Sequence, residues 1–202
     1  MPPHLAETIM RILRASERTA VPWKNGGGTT SEVAAFPQGA GFDDFGWRIS
    51  IANIARGGPF SRFPGIDRTL AMLHGRVTLT IEGQGAVPLS PDMPPVSFPG
   101  DVATAAELIG GPATDLNVMT RRGAFTARVT RLHANGTITF ETDGIATFVF
   151  PLAAVTLRGD GADTSFVLGD AIFVEPGESL RLTAFPAVDF YGVTLFSGKK
   201  AA

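Results

Sequence analysis

The chain has 202 residues, with 17 basic and 19 acidic side chains, a net charge of −2 and no cysteine. Disulfides, a thiolate nucleophile and cysteine metal sites are therefore excluded. No basic stripe is available for nucleic acid, the nearest clusters being Arg121-Arg122 and Lys199-Lys200. Hydrophobic residues make up 44% of the chain beside 24 glycines and 15 prolines, the mixture of a turn-rich folded protein rather than a disordered one.

The N-terminal stretch from Met1 to Ser16 sets Glu7, Arg11 and Arg14 among its apolar residues and lacks a signal-type apolar run. Its Leu5 to Leu13 portion is the best helical candidate and leads into a strand. The longest uncharged apolar stretch, Ile145 to Val155, is broken by Thr147 and Pro151. It falls short of the roughly 18 residues a membrane span needs. A cytoplasmic protein with no membrane or nucleic-acid partner is expected, and a homodimer is compatible with the sequence.

Pro22-Trp23-Lys24-Asn25-Gly26-Gly27-Gly28-Thr29-Thr30 is the most unusual segment. Three glycines permit positive φ and leave amides uncovered, so with the Lys24 ammonium they are suited to a carboxylate or phosphate. A flexible turn with a solvated lysine explains the same residues. Trp23 fits either a pocket wall or a core plug.

Period-two alternation then dominates. Trp47-Arg48-Ile49-Ser50-Ile51 puts Arg48 and Ser50 on one face of a strand. That face is either a barrel lumen or an exterior carrying a salt-bridged arginine. Phe60 and Phe63 flank a turn. Asp67-Arg68 follows the Phe63-Pro64-Gly65 turn and reads as a local ion pair or as a cation facing a pocket. Further strands are expected at Val77 to Ile81, Leu116 to Val118, Ile138 to Phe140 and Tyr191 to Leu195. Asp115 and Asn117 share a face. Ala103 to Leu108 is a second short helical candidate, and Asn135-Gly136, Asp143-Gly144 and Pro176-Gly177 mark turns. Many short strands with regular turns predict a sandwich or barrel.

The sequence also repeats. Val77-Thr78-Leu79 recurs as Val155-Thr156-Leu157, and Pro99-Gly100-Asp101 as Pro176-Gly177-Glu178. Leu116 and Val118 correspond likewise to Val193 and Leu195, which predicts a duplicated β unit with a seam near Arg121 to Gly123. Gly169-Asp170 followed by Pro176-Gly177 resembles the second motif of cupins. The metal-binding positions of that pattern fall on Leu180 here and on Ala103 in the first unit. The positions of the first cupin motif fall among Ser61 to Pro64 and on Arg68. The three histidines, His4, His74 and His133, are far apart. No metal centre, cofactor or catalytic residue is therefore assigned.

Arg11 to Arg14, Trp23-Lys24-Asn25-Gly26-Gly27-Gly28, Trp47 to Ala52, Gly58-Pro59-Phe60-Ser61-Arg62-Phe63-Pro64-Gly65 and Asp115 to Met119 together resemble the HutD/Ves family. The resemblance is firm over the first 120 residues; His74 departs from it. It implies an all-β bicupin of two double-stranded β-helix (jelly-roll) barrels. Residues 1–120 would form the N-terminal barrel carrying the ligand pocket, and 121–202 a degenerate C-terminal repeat. It further implies an association with histidine utilisation and the binding of a small pathway acid such as urocanate or formylglutamate. The expected site has Lys24, Arg48 and Arg68 neutralising a small anionic metabolite. Asn25, Thr29, Ser50 and Asn117 would orient it, Gly26 and Gly27 would form the rim, and Trp23 an apolar wall. The rival expectations are a metal-independent enzyme on a related acid or sugar acid, with Lys24 or His74 as acid/base, and a protein-binding module.

Overall fold

The structure, a computed structural model, describes residues 11–158 and 163–198. The described residues contain no α-helix, one 3-10 turn at Ala15–Glu17, and strands in all remaining regular structure. In chain order the strands are β1 (Arg11–Leu13), β2 (Ala20–Pro22), β3 (Gly28–Phe36), β4 (Trp47–Ile54), β5 (Gly58–Pro59) and β6 (Ile66–His74). Next come β7 (Val77–Ile81), β8 (Gly85–Leu89), β9 (Val96–Pro99), β10 (Thr104–Leu108), β11 (Ala113–Arg121) and β12 (Phe125–Glu141). The last are β13 (Ala146–Pro151), β14 (Val155–Arg158), β15 (Asp163–Phe166), β16 (Ala171–Val174) and β17 (Ser179–Ser197).

The chain packs as two compact units. One joins the chain up to Ala15 to Arg131–Leu195; the other is Ser16–Thr130 with the chain from Phe196 onward. The sequence-based division at 120/121 thus differs from the packing at both ends. Strand β1 pairs with β16 through Arg11↔Phe173 and Leu13↔Ala171, so the N-terminal strand belongs to the C-terminal unit. Asp170, from the Gly-Asp turn, fixes it: its carboxylate accepts from the amides of Ala15 (2.7 Å) and Val167 (3.1 Å) and pairs with Arg14 at 2.8 Å.

The larger unit contains a six-stranded sheet, β2-β3-β4-β11-β6-β9, and a four-stranded sheet, β5-β10-β7-β8. Leu70, Met72 and Phe98 from the first and Val77, Leu79, Ile81 and Ala106 from the second form one buried cluster. Burying each such side chain contributes on the order of 1.5–3 kcal/mol. The smaller unit has the sheet β1-β16-β13-β17-β14-β15, with β12 also on β17. Its cluster includes Val149, Leu157, Phe166, Ile172, Val174, Leu182 and Phe190. The sheets stay open, without the closure that complete barrels require.

The pairing in the two units is alike. Strand β7 lies between β8 and β10, and β14 between β15 and β17. Leu79 pairs with Ala106 as Leu157 pairs with Ala184. Strand β6 lies between β11 and β9 as β13 lies between β17 and β16. The recurring Val-Thr-Leu segments therefore hold equivalent places in their ladders.

Three local expectations are corrected. Arg11–Leu13, the end of the first helical candidate, is a strand, and the rest of that candidate lies outside the described residues, as do His4 and Lys199-Lys200. The helical candidate at 103–108 is strand β10, because pairing on β7 from Thr104↔Ile81 to Leu108↔Val77 outweighs the helix preference of Ala105-Ala106-Glu107. Asn135-Gly136 does not reverse the chain. Strand β12 runs through it, with Gly136 at φ +101° absorbing the distortion.

Candidate functional site

Register decides which side chains meet. In antiparallel pairing, residues directly opposite each other project to the same face. Across β4, β11, β6 and β9 one row is Arg48, Met119, Arg68 and Phe98; the next is Ser50, Asn117, Leu70 and Val96. The third row is Ala52, Asp115 and Met72, and β3 adds Thr30 beside Ala52 and Glu32 beside Ser50. Leu70, Met72 and Phe98 belong to the cluster between the sheets, so this is the inner face. Arg48, Ser50, Arg68 and Asn117 therefore share it, as the alternation at Trp47 to Ile51 allowed.

Arg68 is 6% exposed. Its guanidinium carbon lies 5.0 Å from the Phe60 ring centre, 5.3 Å from Phe98 and 5.8 Å from Phe63. Its Nε donates to Asn117 Oδ1 over 3.4 Å, a long bond, and no carboxylate pairs with it among the described residues. Burial lowers its pKa to about 10, an effect the charge of Asp115 partly offsets. The local ion pair with Asp67 does not form: Asp67 points to the other face and pairs with Arg122 at 2.8 Å.

Asp115 is 2% exposed and its Oδ1 has no hydrogen-bond partner; the Ser50 hydroxyl is fully buried and also unpartnered. Burial pushes the Asp115 carboxyl up to about 7 against the attraction of Arg68. Two orphaned buried polar groups on one face beside an unpaired guanidinium are costly to the fold, each by roughly 1–3 kcal/mol. Arg48 is compensated: its Nε donates to Glu32 Oε2 at 2.8 Å, and its guanidinium lies 4.6 Å from the ring centre of Phe42. Both readings of Arg48 thus meet in one residue, salt-bridged yet on the inner face.

The glycine segment is a closed turn. The Gly26 amide donates to Trp23 O (2.9 Å) and the Gly27 amide to Asn25 Oδ1 (2.9 Å), while Gly27 O accepts from Ala55 and Arg56. The amide cradle expected at Gly26 and Gly27 is absent because both donors are already used. Gly28 is required for packing, since a Cβ there would lie 2.3 Å from Asn53 O. Lys24 is exposed. Thr29 pairs with Asn53, in the row that points away from the inner face. Its neighbour Thr30 is the inward residue, and its Oγ1 accepts from Trp23 Nε1 at 2.7 Å. Trp23 is half-buried and held by this bond.

Sequence reasoning thus missed Thr30, Glu32 and the isolation of Asp115. The pairing of Glu32 with Ser50 depends on register, and β3 shifts register between Glu32 and Ala34. His74 is exposed at the end of β6. No group of three or more His, Asp or Glu suited to a metal occurs among the described residues.

Rows on the equivalent face of the smaller unit are Thr147, Thr194 and Val174; then Val149, Gly192 and Ile172; then Pro151 and Phe190. By the correspondence of Leu116 and Val118 to Val193 and Leu195, Gly192 and Thr194 stand where the larger unit has Asp115 and Asn117, and Ile145 where it has Arg68. Thr147 also bonds Thr142 (3.0 Å) and Thr194 (3.3 Å). None of the residues in these rows is charged, in contrast to the inner face of the larger unit.

The model of the HutD family matches residues 15–191. A 21.2 kDa protein in the hutC 3' region of Pseudomonas putida, itself uncharacterized, is 38% identical over 121 residues, 59% of this chain and 63% of that one. Protein Ves of Citrobacter koseri is 40% identical over 129 residues, 63% of this chain and 65% of that one. In both, the matched part spans just under two thirds of the relative. The solved structure of HutD from Pseudomonas fluorescens SBW25 is similar at TM-score 0.77 and 29% identity, over 93% of this chain and 98% of that one. A cupin 2 barrel-domain protein from Leptotrichia buccalis shares the fold at TM-score 0.57 and 10% identity, over 94% of this chain and 98% of that one. The chain is all-β with cupin-like neighbours, and it belongs to the HutD family.

Proposed function

We propose that the chain is a metal-free binding protein for a small carboxylate metabolite, seated on the inner face of the larger unit and regulatory in histidine utilisation. The observation that carries this reading is Arg68: a guanidinium 6% exposed, ringed by three phenylalanines and without a paired carboxylate. Such a group gains a charge-assisted, bidentate partner when an acid enters. Asn117 and Ser50 lie on the same face to orient it, and Arg48 can exchange part of its bond with Glu32 for the ligand. The naming of relatives for the hutC region and for HutD favours a urocanate- or formylglutamate-like acid. We read the fold as a degenerate bicupin whose second repeat has lost the site, in a protein acting in the cytoplasm. Lys24 and His74 are exposed, so an enzyme using them as acid/base in a buried site gains no support.

Calorimetric titration with urocanate and with N-formylglutamate tests the reading. Arg68→Met should weaken whichever acid binds by roughly tenfold to a hundredfold, the value of one charge-assisted interaction of about 1.5–3 kcal/mol. Equal affinity in wild type and variant would refute it.

A further inference from the structure

The carboxylate reading leaves Asp115 without a role and gives Ser50 only an orienting one. Asp115 Oδ1 and Ser50 Oγ are both unpartnered, and their residues are 2% and 0% exposed. They occupy adjacent rows on adjacent strands, Ser50 on β4 opposite Asn117 and Asp115 two residues before Asn117 on β11. Arg48 and Arg68 lie in the next row along the strands, where the exposed Phe42 lies against the Arg48 guanidinium. The inner face is therefore polarised along the strands, with guanidinium groups in one row, the Ser50 hydroxyl in the next and the Asp115 carboxyl in the third.

An acid alone would leave the inner end unsatisfied and would place a second negative charge near Asp115. We infer that Asp115 and Ser50 form a second subsite, which accepts a hydrogen bond from an N–H or O–H donor on the far end of the ligand. This rests on the carboxylate-binding reading and assigns Asp115 and Ser50 to the hydrogen-bond-donating head, azole or amide, that the acids considered there carry. Asp115 is the acceptor, Ser50 the second contact able to donate or accept, and Ala52 and Met72 leave the flanks apolar. The charges facing the pair are Arg68 from β6, Arg48 from β4 and Glu32 from β3, whereas β9 presents Phe98 and Val96. Arg48 and Glu32 already offset each other at 2.8 Å, leaving the Arg68 guanidinium and the Asp115 carboxyl to be met, which favours a ligand with both an anionic and a donating end over a simple anion.

A matched pair of probes isolates the donor. In 3-(imidazol-4-yl)acrylate and 3-(2-furyl)acrylate the carboxylate and the five-membered ring are alike, but only the first has a ring N–H. By calorimetry, wild type should bind the imidazolyl acid about tenfold to a hundredfold more tightly, since a site built for a donor rejects an analogue lacking it. Asp115→Asn should shrink that preference about tenfold and leave the furyl acid little changed; Ser50→Ala should shrink it less. Arg68→Met should weaken both acids together. Equal binding of the two acids to wild type would overturn the second subsite while leaving the carboxylate site standing. Failure of both acids to bind would overturn both proposals. The wild-type comparison decides even if a variant fails to fold.

Discussion

Asp115→Asn should change the pH dependence of folding in a direction fixed by burial. Asp115 titrates at about 7 in the folded chain against an ordinary value of 3.8. A carboxyl whose pKa is raised by folding binds its proton more tightly when folded. Its stabilising contribution is fully present below 3.8 and is lost as pH rises through about 7. At about 1.4 kcal/mol per pH unit, the interval between the two values corresponds to roughly 4 kcal/mol. Asparagine has the same shape and does not ionise, so the variant lacks this term. The attraction of Arg68 is already contained in the value of about 7, so a net gain of a few kcal/mol at pH 8 is the expected outcome, with no gain near pH 4. Urea unfolding of both proteins at several pH values between 4 and 8.5 measures it. Taking the difference between them cancels the carboxylates that respond oppositely, Asp101, Asp163, Asp170 and Asp189. Parallel curves for wild type and variant would refute the assignment of a buried, poorly compensated carboxyl.

Asp170→Ala should destabilise the smaller unit by about 3–5 kcal/mol, because it strips a buried acceptor from two backbone amides and from Arg14. Burial acts to raise the Asp170 pKa, but the amides of Ala15 and Val167 and the Arg14 guanidinium outweigh it, so the wild-type contribution should fade as pH drops below 3.8. Denaturant midpoints at pH 3 and pH 7 check both statements. Gly28→Ala should cost several kcal/mol or prevent folding, since its Cβ would meet backbone at 2.3 Å, whereas Gly39→Ala meets nothing within 4 Å and loses only the ease of its φ of +79°. Thermal unfolding of the two variants compares them.

The strands were legible because a half-buried strand records its two faces as alternation: Arg48 and Ser50 against Trp47, Ile49 and Ile51. Alternation does not record which neighbours stand opposite. Thr29 and Thr30 are chemically alike, and only the pairing Thr30↔Ala52 puts the second on the inner face. Glu32 carries no motif at all; it enters the site through its place beside Ser50. Of the two readings of the glycine turn, the open anion nest is closed off for a local reason: Asn25 caps the amide two residues on, a habit of asparagine, while Lys24 stands exposed as the solvated-lysine reading has it. The burial of Arg68 is a tertiary property, set by Phe60 and Phe63 from one loop and Phe98 from a distant strand.

The smaller unit is an internal control on what the larger one needs in order to fold. With the same ladder connections, it places Gly192 and Thr194 where Asp115 and Asn117 stand, and Ile145 where Arg68 stands. Its core around Val149, Ile172 and Phe190 is apolar, and Thr147 is satisfied by Thr142 and Thr194. The topology therefore closes a core without any ion on this face. Apolar residues of similar volume commonly match or exceed a buried charged pair in stability. An unpaired guanidinium, a carboxyl raised to about 7 and an unpartnered hydroxyl are then hard to account for as contributors to folding. Groups that cost stability in one repeat and are replaced by apolar or self-satisfied residues in the other are what a binding site needs: polar partners held ready, and satisfied only when the ligand arrives.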